Sequence, residues 1–385
     1  MSFDLERTFD RCSVAVHDLA FSRSREWKEL TGGKTVAFFP VYAPVELVHA
    51  AGMLPVGLSG AGDRLDIQHA DARFGSFICS IVKTTAEMAM TNHLDIFDGV
   101  LFSTICDSAR NLCFVLKRHA PDRYIDFLHL PQNCSSAAAL EFLASEYRRL
   151  LGNLVALSGK PVDSESIRCS IQEYNRNRAL VRELYEFRRR APHQLAASEL
   201  YVLVRAGNVL PVEEHTQLLK EVLTQLPGRA AKRRDSIRVV VEGSFCEQPP
   251  IELIQLLEAA GCYIVDDDFA LQQNWFTGDV STDGDPVLAL AEAYLNASVY
   301  SSVRHDMRTP RWDALAEKVR RASADAVIFL IAKFCEPAYF DYVPFRQKLD
   351  ETGTPHLLLE FEEKLFTFDR VRTEVETFVE SLVFD

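Results

Sequence analysis

Short apolar runs alternate with longer segments of helical periodicity, and this alternation predicts strands followed by helices. In the first 160 residues the apolar runs are Thr35–Pro40, Leu54–Leu58, Gly99–Thr104 and Tyr124–Leu130. Helices are expected near the N-terminus and at Val45–Ala51, Cys79–Met90, Asp107–His119 and about Ser136–Leu157. Strands that alternate with helices of this length favour a parallel sheet covered on both faces.

The remainder of the chain predicts a helical segment and then a second alternation. From about Asp163 to Leu226 apolar positions recur at helical spacing, and Leu226–Asp235 is expected to be a linker. Later strands are predicted at Ile237–Val241, Cys262–Val265, Ala326–Ile331 and His356–Leu359, with helices at Ile251–Ala260, Pro286–Ala297, Trp312–Ala322, Tyr339–Leu349 and Asp369–Leu382. The predicted fold class is therefore α/β. Two doubly wound parallel-sheet domains, residues 1–160 and 236–385, are joined by a helical connector, residues 161–235.

Composition is that of a soluble globular protein, with 48% hydrophobic and 25% charged residues. The net charge of −13 offers no basic surplus for a nucleic acid, so none is expected as a partner. The basic clusters Arg188–Arg190 and Lys232–Arg234 are expected to be solvated. The acidic run Asp266–Asp268 is expected to be a solvated turn, with a cation site as the alternative.

The N-terminal segment Met1–Cys12 is charged and lacks the apolar core of a secretory signal. No run approaches the roughly 18 apolar residues that a membrane span requires. We therefore expect a cytoplasmic protein with no membrane partner. In that compartment the nine cysteines are not expected to form a disulfide framework.

Two cysteines stand at positions where an α/β protein binds ligands, and a third precedes another predicted helix. Cys106 follows the predicted strand GVLFST, and Cys335 follows the predicted strand AVIFLIA. Each begins a turn into a helix, where free backbone amides and the helix dipole stabilise a thiolate. Cys79 lies in GSFICS, which leads into another helix. Because ligands bind beyond the carboxyl ends of such strands, the three thiols can face one cleft between two domains.

Three thiolates suit a [4Fe–4S] cluster with one iron left for substrate, water or a partner's sulfur. Zinc with an open position is the alternative, but no histidine or acid is grouped nearby. The intervals between the cysteines are long, so on spacing alone three ordinary buried thiols remain the simpler interpretation. Cys246, in GSFCE at the end of another predicted strand, is the best candidate for a fourth ligand.

One nucleotide-binding motif is incomplete, and two other motifs, for nucleotide binding and for hydrolysis, are absent from the sequence. Gly33-Lys34-Thr35 resembles the end of a phosphate-binding loop, but Lys28 occupies the position of the required upstream glycine. A predicted strand rather than a helix follows it. The sequence contains neither GxGxxG nor the GxSxG nucleophile elbow.

The stretch Pro44–Val56, PVELVHAAGMLPV, is similar to the P-x-E-L-x-x-A-A-G-x-x-P-V stretch of the benzoyl-CoA reductase and 2-hydroxyacyl-CoA dehydratase family. The resemblance continues through Cys79, through Cys106-Asp107 and through Lys333–Pro337 (KFCEP), in an order that covers most of the chain. It implies a [4Fe–4S] cluster bound by the three cysteines. It also implies separate ATP-hydrolysing iron–sulfur activator subunits that deliver electrons one at a time, which agrees with the missing phosphate loop.

Within the family, the length and the segment STICDSARN (Ser103–Asn111) are most similar to the smaller, C or gamma, subunit of ATP-dependent benzoyl-CoA reductases. These are oxidoreductases of anaerobic aromatic degradation. The resemblance implies a larger homologous subunit, ferredoxin as electron donor, and an acyl-CoA substrate, benzoyl-CoA, whose ring is reduced to a cyclic dienoyl-CoA. Glu46 and His49, at the amino end of the helix after the first strand, are the candidate catalytic proton donors. A surface carboxylate and a packed imidazole are the alternative.

Three other interpretations stay open. The first is a subunit of an (R)-2-hydroxyacyl-CoA dehydratase, which uses the same kind of cluster to recycle an electron. The second is a homodimeric double-cubane reductase. The third, from a different class, is an electron-relay or scaffold subunit without its own substrate site.

Overall fold

Two four-stranded sheets organise the chain, and every strand pair in them is parallel. The computed structural model describes residues 4–243, 245–269, 272–299, 301–304, 310–362 and 368–384. The predicted α/β class with two parallel sheets is confirmed. The domain boundaries at residues 160 and 235 stay predictions.

The first sheet has the order β2-β1-β3-β4. Its strands are β1 (Thr35–Phe39), β2 (Leu54–Gly57), β3 (Gly99–Ser103) and β4 (Tyr124–Leu128). Its helices are α1 (Leu5–Val16), α2 (Ser22–Thr31), α3 (Val45–Ala50), α4 (Ser80–Met90), α5 (Asp107–His119) and α6 (Ala139–Ser158). All residues of β1, β2 and β3 are buried, as expected for parallel strands covered on both faces.

Three helices follow: α7 (Ser164–Arg190), α8 (Ala197–Ala206) and α9 (Val212–Gln225). The predicted linker Leu226–Asp235 begins with a 3₁₀ turn, Leu226–Gly228, and contains no other helix or strand. The segment between the sheets is therefore helical, as its periodicity predicts.

The second sheet repeats the order of the first, as β6-β5-β7-β8. Its strands are β5 (Ile237–Glu242), β6 (Cys262–Asp267), β7 (Ala326–Ala332) and β8 (His356–Phe361). Its helices are α10 (Ile251–Ala259), α11 (Pro286–Asn296), α12 (Arg311–Ala322), α13 (Glu336–Thr352) and α14 (Asp369–Phe384). In each sheet the strand order reverses between the first and third strands, and ligands bind at the carboxyl side of such a switch point.

The two halves pack against each other directly. Helix α11 of the second half contacts α6 of the first, and α7 contacts α3, α11 and β6. At the carboxyl end of β1, the buried Tyr42 hydroxyl donates a hydrogen bond to Ser301 Oγ at 2.6 Å. The carboxyl end of β1 thus faces residues of the second half.

The structure contradicts the expectation that the basic cluster Arg188–Arg190 and the acidic run Asp266–Asp268 are solvated. Arg188 and Arg189 are buried, and so are all three aspartates. An Arg188 nitrogen lies 2.6 Å from an oxygen of Asp267, and Arg189 makes a similar 2.6 Å pair with Asp266. These pairs join the end of α7 to β6, so Arg188, Arg189 and the acidic run are not solvated, whereas Arg190 is exposed as predicted. Lys232–Arg234, by contrast, is exposed as predicted.

Among the described residues, no helix has both the length and the apolar composition that crossing a membrane requires.

Candidate metal centre

Three helices begin at the three cysteines that the sequence selects. Cys79 is the N-cap residue of α4, Cys106 that of α5 and Cys335 that of α13. Cys106 and Cys335 each follow the third strand of their sheet after a two-residue turn. Pro337, in the first turn of α13, has the fixed φ angle that favours a helix start. Local sequence therefore explains why Cys106 and Cys335 lie at helix N-termini.

The electrostatics of these thiols combine burial with backbone stabilisation. Burial raises the pKa of Cys106, while the backbone amides of Ser108 and Ala109 lower it. Burial raises the pKa of Cys335 to about 12, and the amide of Ala338 opposes this effect. A metal that replaces the proton would restore the charge that the amides are placed to stabilise.

The three cysteines lie close together although they are distant in sequence. Cys79 Sγ donates a weak hydrogen bond to the carbonyl oxygen of Phe334, the residue before Cys335, at 3.5 Å. After burial, the nearby Cys335 raises the pKa of Cys79, and Cys106 raises it further. Cys106 also raises the pKa of Cys335. The structure therefore brings these three residues together, while their role as ligands stays a prediction.

Phe334 holds the turn before Cys335 in an uncommon conformation. Its φ is +68°, in the left-handed region that is costly for a bulky side chain. The ring makes an edge-to-face contact with Phe77, at 5.7 Å between ring centroids. Together with the hydrogen bond from Cys79, this contact fixes the two cysteine-bearing turns against each other.

Cys246 belongs to the same group. It follows β5, and burial is the main cause that raises its pKa, followed by Cys335, Cys106 and Cys79. These four residues (Cys79, Cys106, Cys246 and Cys335) are called the four-cysteine cluster below. The sequence predicts Cys246 only as the best candidate for a fourth ligand.

The candidate donors are all cysteine sulfurs, the ligand type that holds iron–sulfur clusters. Within the described part of the chain, no three histidine, cysteine, aspartate or glutamate side chains are gathered closely enough to hold one metal ion. Zinc–sulfur bonds of about 2.3 Å require ligands packed around one point. A [4Fe–4S] cluster distributes its cysteines over different irons, so their sulfurs stand further apart. Cysteines brought together from distant parts of the chain are compatible with the second arrangement.

The two candidate proton donors lie in a different environment. Glu46 is fully buried, and its Oε1 accepts a hydrogen bond from Arg178 Nη1 at 2.5 Å. His49 Nε2 donates to Glu213 Oε1 at 2.9 Å, while Nδ1 lies 2.9 Å from Ser170 Oγ. These contacts are with α7 and α9, not with the four-cysteine cluster. A catalytic role for either residue stays a prediction, and Glu46 is not the surface carboxylate of the alternative interpretation.

Arg178→Met is expected to lower the free energy of unfolding by about 3–5 kcal/mol, because it leaves the buried Glu46 carboxylate without its counter-charge. Arg176→Met is the matched control on the same helix. Its ion pair with Glu173 is a solvent-exposed one, worth about 0–1 kcal/mol. Urea denaturation of both variants measures the difference. Equal losses would show that the buried pair has no special structural role.

A cavity of about 450 Å³ opens beside the carboxyl ends of β5 and β6. Its lining includes Lys318, paired with Glu242 at 2.6 Å, and Asp268. A smaller cavity shares Glu242 and Asp268 and is also lined by Ala338, one turn beyond Cys335. Asp268 raises the pKa of Cys335 and of Cys246. The acidic run Asp266–Asp268 is the sequence feature that falls in this cavity, but its pattern predicts a solvated turn rather than a cavity wall.

Comparisons with known proteins find relatives that match nearly the whole chain. The family model of the 2-hydroxyglutaryl-CoA dehydratase D-component matches residues 40–382. The C subunit of benzoyl-CoA reductase from Thauera aromatica is 38% identical over 374 residues, 97% of each chain. The beta subunit of lactoyl-CoA dehydratase from Anaerotignum propionicum is 31% identical over 93% of this chain and 94% of its own. The beta subunit of (R)-2-hydroxyglutaryl-CoA dehydratase from Acidaminococcus fermentans is 27% identical over 91% and 93%. The chain therefore belongs to the 2-hydroxyglutaryl-CoA dehydratase D-component family.

Proposed function

We propose that this chain is the cluster-carrying subunit of an ATP-dependent benzoyl-CoA reductase, and that Cys79, Cys106 and Cys335 bind one [4Fe–4S] cluster. The observation that carries the proposal is that three cysteines from both halves, each the N-cap residue of a helix, lie near one another, and that two of them follow the carboxyl ends of β3 and β7. The 38% identity with a benzoyl-CoA reductase subunit favours a reductase over the dehydratases, which are less similar.

The residues of this chain would hold the cluster and control its surroundings. The amides of Ser108, Ala109 and Ala338 point at the thiols and stabilise negative charge there. Cys335 is only 8% exposed, so little water reaches it. When bound, the cluster supplies one-electron chemistry at low potential, which reduction of an aromatic ring demands.

Exposed apolar side chains beside the cysteines support the proposed partners. Phe77, two residues before Cys79, is 82% exposed. Phe340 and Val343, on the helix that begins after Cys335, are 77% and 66% exposed. Apolar groups of this size favour coverage by another protein. We propose a larger homologous subunit and ATP-hydrolysing activator subunits as partners, with ferredoxin as the electron source.

Anaerobic reconstitution tests the reaction. The purified chain, its larger homologue, the activator, ATP and a reductant are combined with benzoyl-CoA. We expect a cyclic dienoyl-CoA product, detected by mass spectrometry, and no product when the chain or the activator is omitted. Thioester hydrolysis alone, or no ring reduction in the complete mixture, would contradict the proposal.

A dehydratase subunit is the second candidate, since a lactoyl-CoA dehydratase subunit is 31% identical. The same mixture distinguishes it. Loss of water from a 2-hydroxyacyl-CoA without net consumption of reductant would replace the reductase proposal. A homodimer that reduces small molecules without a larger homologue would instead favour the double-cubane interpretation.

A further inference from the structure

A cavity between α1, α8 and α10 has a buried arginine in its wall. Arg205, on α8, is only 8% exposed and lines this cavity, whose volume is about 70 Å³. Its Nη1 donates a hydrogen bond to Tyr201 Oη at 2.7 Å, whereas Nε and Nη2 have no partner within the described part of the chain. No carboxylate of the described residues pairs with it either. A buried guanidinium without a counter-charge is costly, so Arg205 is suited to a ligand that supplies negative charge.

Three further elements line the same cavity. His17 ends α1, residues 59–64 form the loop after β2, and residues 249–252 include the first turn of α10. Arg64 Nη1 donates to the carbonyl oxygen of His17 at 3.5 Å, which ties the loop to α1. Both halves of the chain and the helical segment between them therefore contribute to the walls.

The first turn of α10 presents backbone amides to this cavity. Its N-cap residue is Pro250, and no side chain caps the turn in the described structure. Ile251 and Glu252, which follow, line the cavity. Tyr201 Oη donates to the carbonyl oxygen of Pro249 at 2.9 Å and fixes the turn against α8. The first amides of a helix have no partner within the helix, and together with the helix dipole they favour an anion.

The buried charge of the cavity is positive. Burial, followed by Arg205 and Arg64, lowers the pKa of His17 to about 4, so its imidazole is neutral at pH 7. Two acidic residues, Asp63 and Glu252, also line the cavity, but both are exposed. Water and salt screen exposed charges far more than buried ones, so the Arg205 guanidinium dominates the electrostatics inside the cavity.

We propose that this cavity binds one free tetrahedral oxyanion, phosphate or sulfate, with Arg205 as its principal ligand. The anion would accept hydrogen bonds from Arg205 and from the first amides of α10. Because one water requires about 10–15 Å³, a volume of about 70 Å³ holds an anion of a few atoms but not the sugar and base of a nucleotide. The site goes beyond the proposed function, since it requires neither the cluster nor the acyl-CoA.

Isothermal titration calorimetry of the full-length chain with sodium phosphate, in buffer free of other oxyanions, tests the site. We expect the wild-type protein to bind one phosphate per chain. Arg205→Met is expected to weaken binding about tenfold or more, because hydrogen bonds to charged groups are the strong ones. Arg176→Met is the control, since this arginine pairs with Glu173 on α7 and does not line the cavity; it should bind phosphate like the wild type.

Thermal denaturation gives a second readout. Phosphate should raise the unfolding midpoint of the wild type and of Arg176→Met, but not of Arg205→Met. Arg64→Met changes an exposed side chain, so it should fold normally and show a smaller rise than the wild type. Its result reports on the site even if Arg205→Met does not fold.

Competition experiments define the kind of anion. Sulfate should displace phosphate, whereas ATP and coenzyme A, whose phosphates are esterified, should not. Displacement of phosphate by ATP or coenzyme A at equal concentration would contradict a site for a small free anion. A wild-type protein that binds no phosphate at millimolar concentrations, or a folded Arg205→Met that binds it equally well, would overturn the inference.

Discussion

Serine at Cys79, Cys106 or Cys335 is expected to remove most of the iron from the protein and to abolish its activity. The hydroxyl is a harder ligand than a thiolate and holds iron–sulfur clusters poorly. Replacement of Cys106 or Cys335 also removes the charge that the N-terminal amides of its helix are placed to stabilise. Iron analysis and visible absorbance of the anaerobically purified variants measure the loss.

Cys12→Ser and Cys169→Ser are the matched controls for this experiment. Cys12 is buried in α1, and Cys169 is exposed on α7, so the two cover both environments of an ordinary free thiol. Both variants should keep nearly normal iron. The same iron content in all five variants would reject the three cysteines as ligands.

ATP is expected to have no direct effect on this chain. The segment Gly33-Lys34-Thr35 leads into strand β1 rather than into a helix, so it lacks the helix N-terminus that binds phosphate in a phosphate loop. A ligand at a hundredfold excess over its dissociation constant would stabilise the folded state by about 2.7 kcal/mol. ATP should produce no such rise in thermal stability and should not be hydrolysed by the chain.

In the presence of the activator, we expect ATP to affect this chain indirectly. With activator, ATP and reductant present, the cluster of this chain should become reduced, as detected by electron paramagnetic resonance, and omission of any of the three should prevent it. ATP hydrolysis by the isolated chain would show that the proposed division of labour is wrong.

The strands, turns and helices of the fold are predictable from the sequence because adjacent residues specify each of them. The alternation of apolar runs and helical segments predicts both parallel sheets, and helix α5, Asp107–His119, is predicted with its observed bounds. Cys106 and Cys335 are predicted at helix starts because each directly follows an apolar strand. A strand, a short turn and a helix are specified by adjacent residues, so no tertiary information is needed.

The features that the sequence does not predict depend on pairs of residues that are distant along the chain. Arg188 and Asp267 each look like surface charges in their own segments, and only the packing of α7 on β6 makes them a buried pair. Glu46 is similar, because its partner Arg178 is supplied by a different helix. The proximity of Cys246 to the other cysteines likewise arises from the approach of β5 to β7 and α4.

Iron and acid-labile sulfide, counted per chain in protein purified without oxygen, test the central claim most directly. The account predicts about four atoms of each per chain. It also predicts that both are lost together when Cys79, Cys106 or Cys335 is replaced. Protein that contains zinc, or that binds neither iron nor sulfide after anaerobic reconstitution, would contradict it.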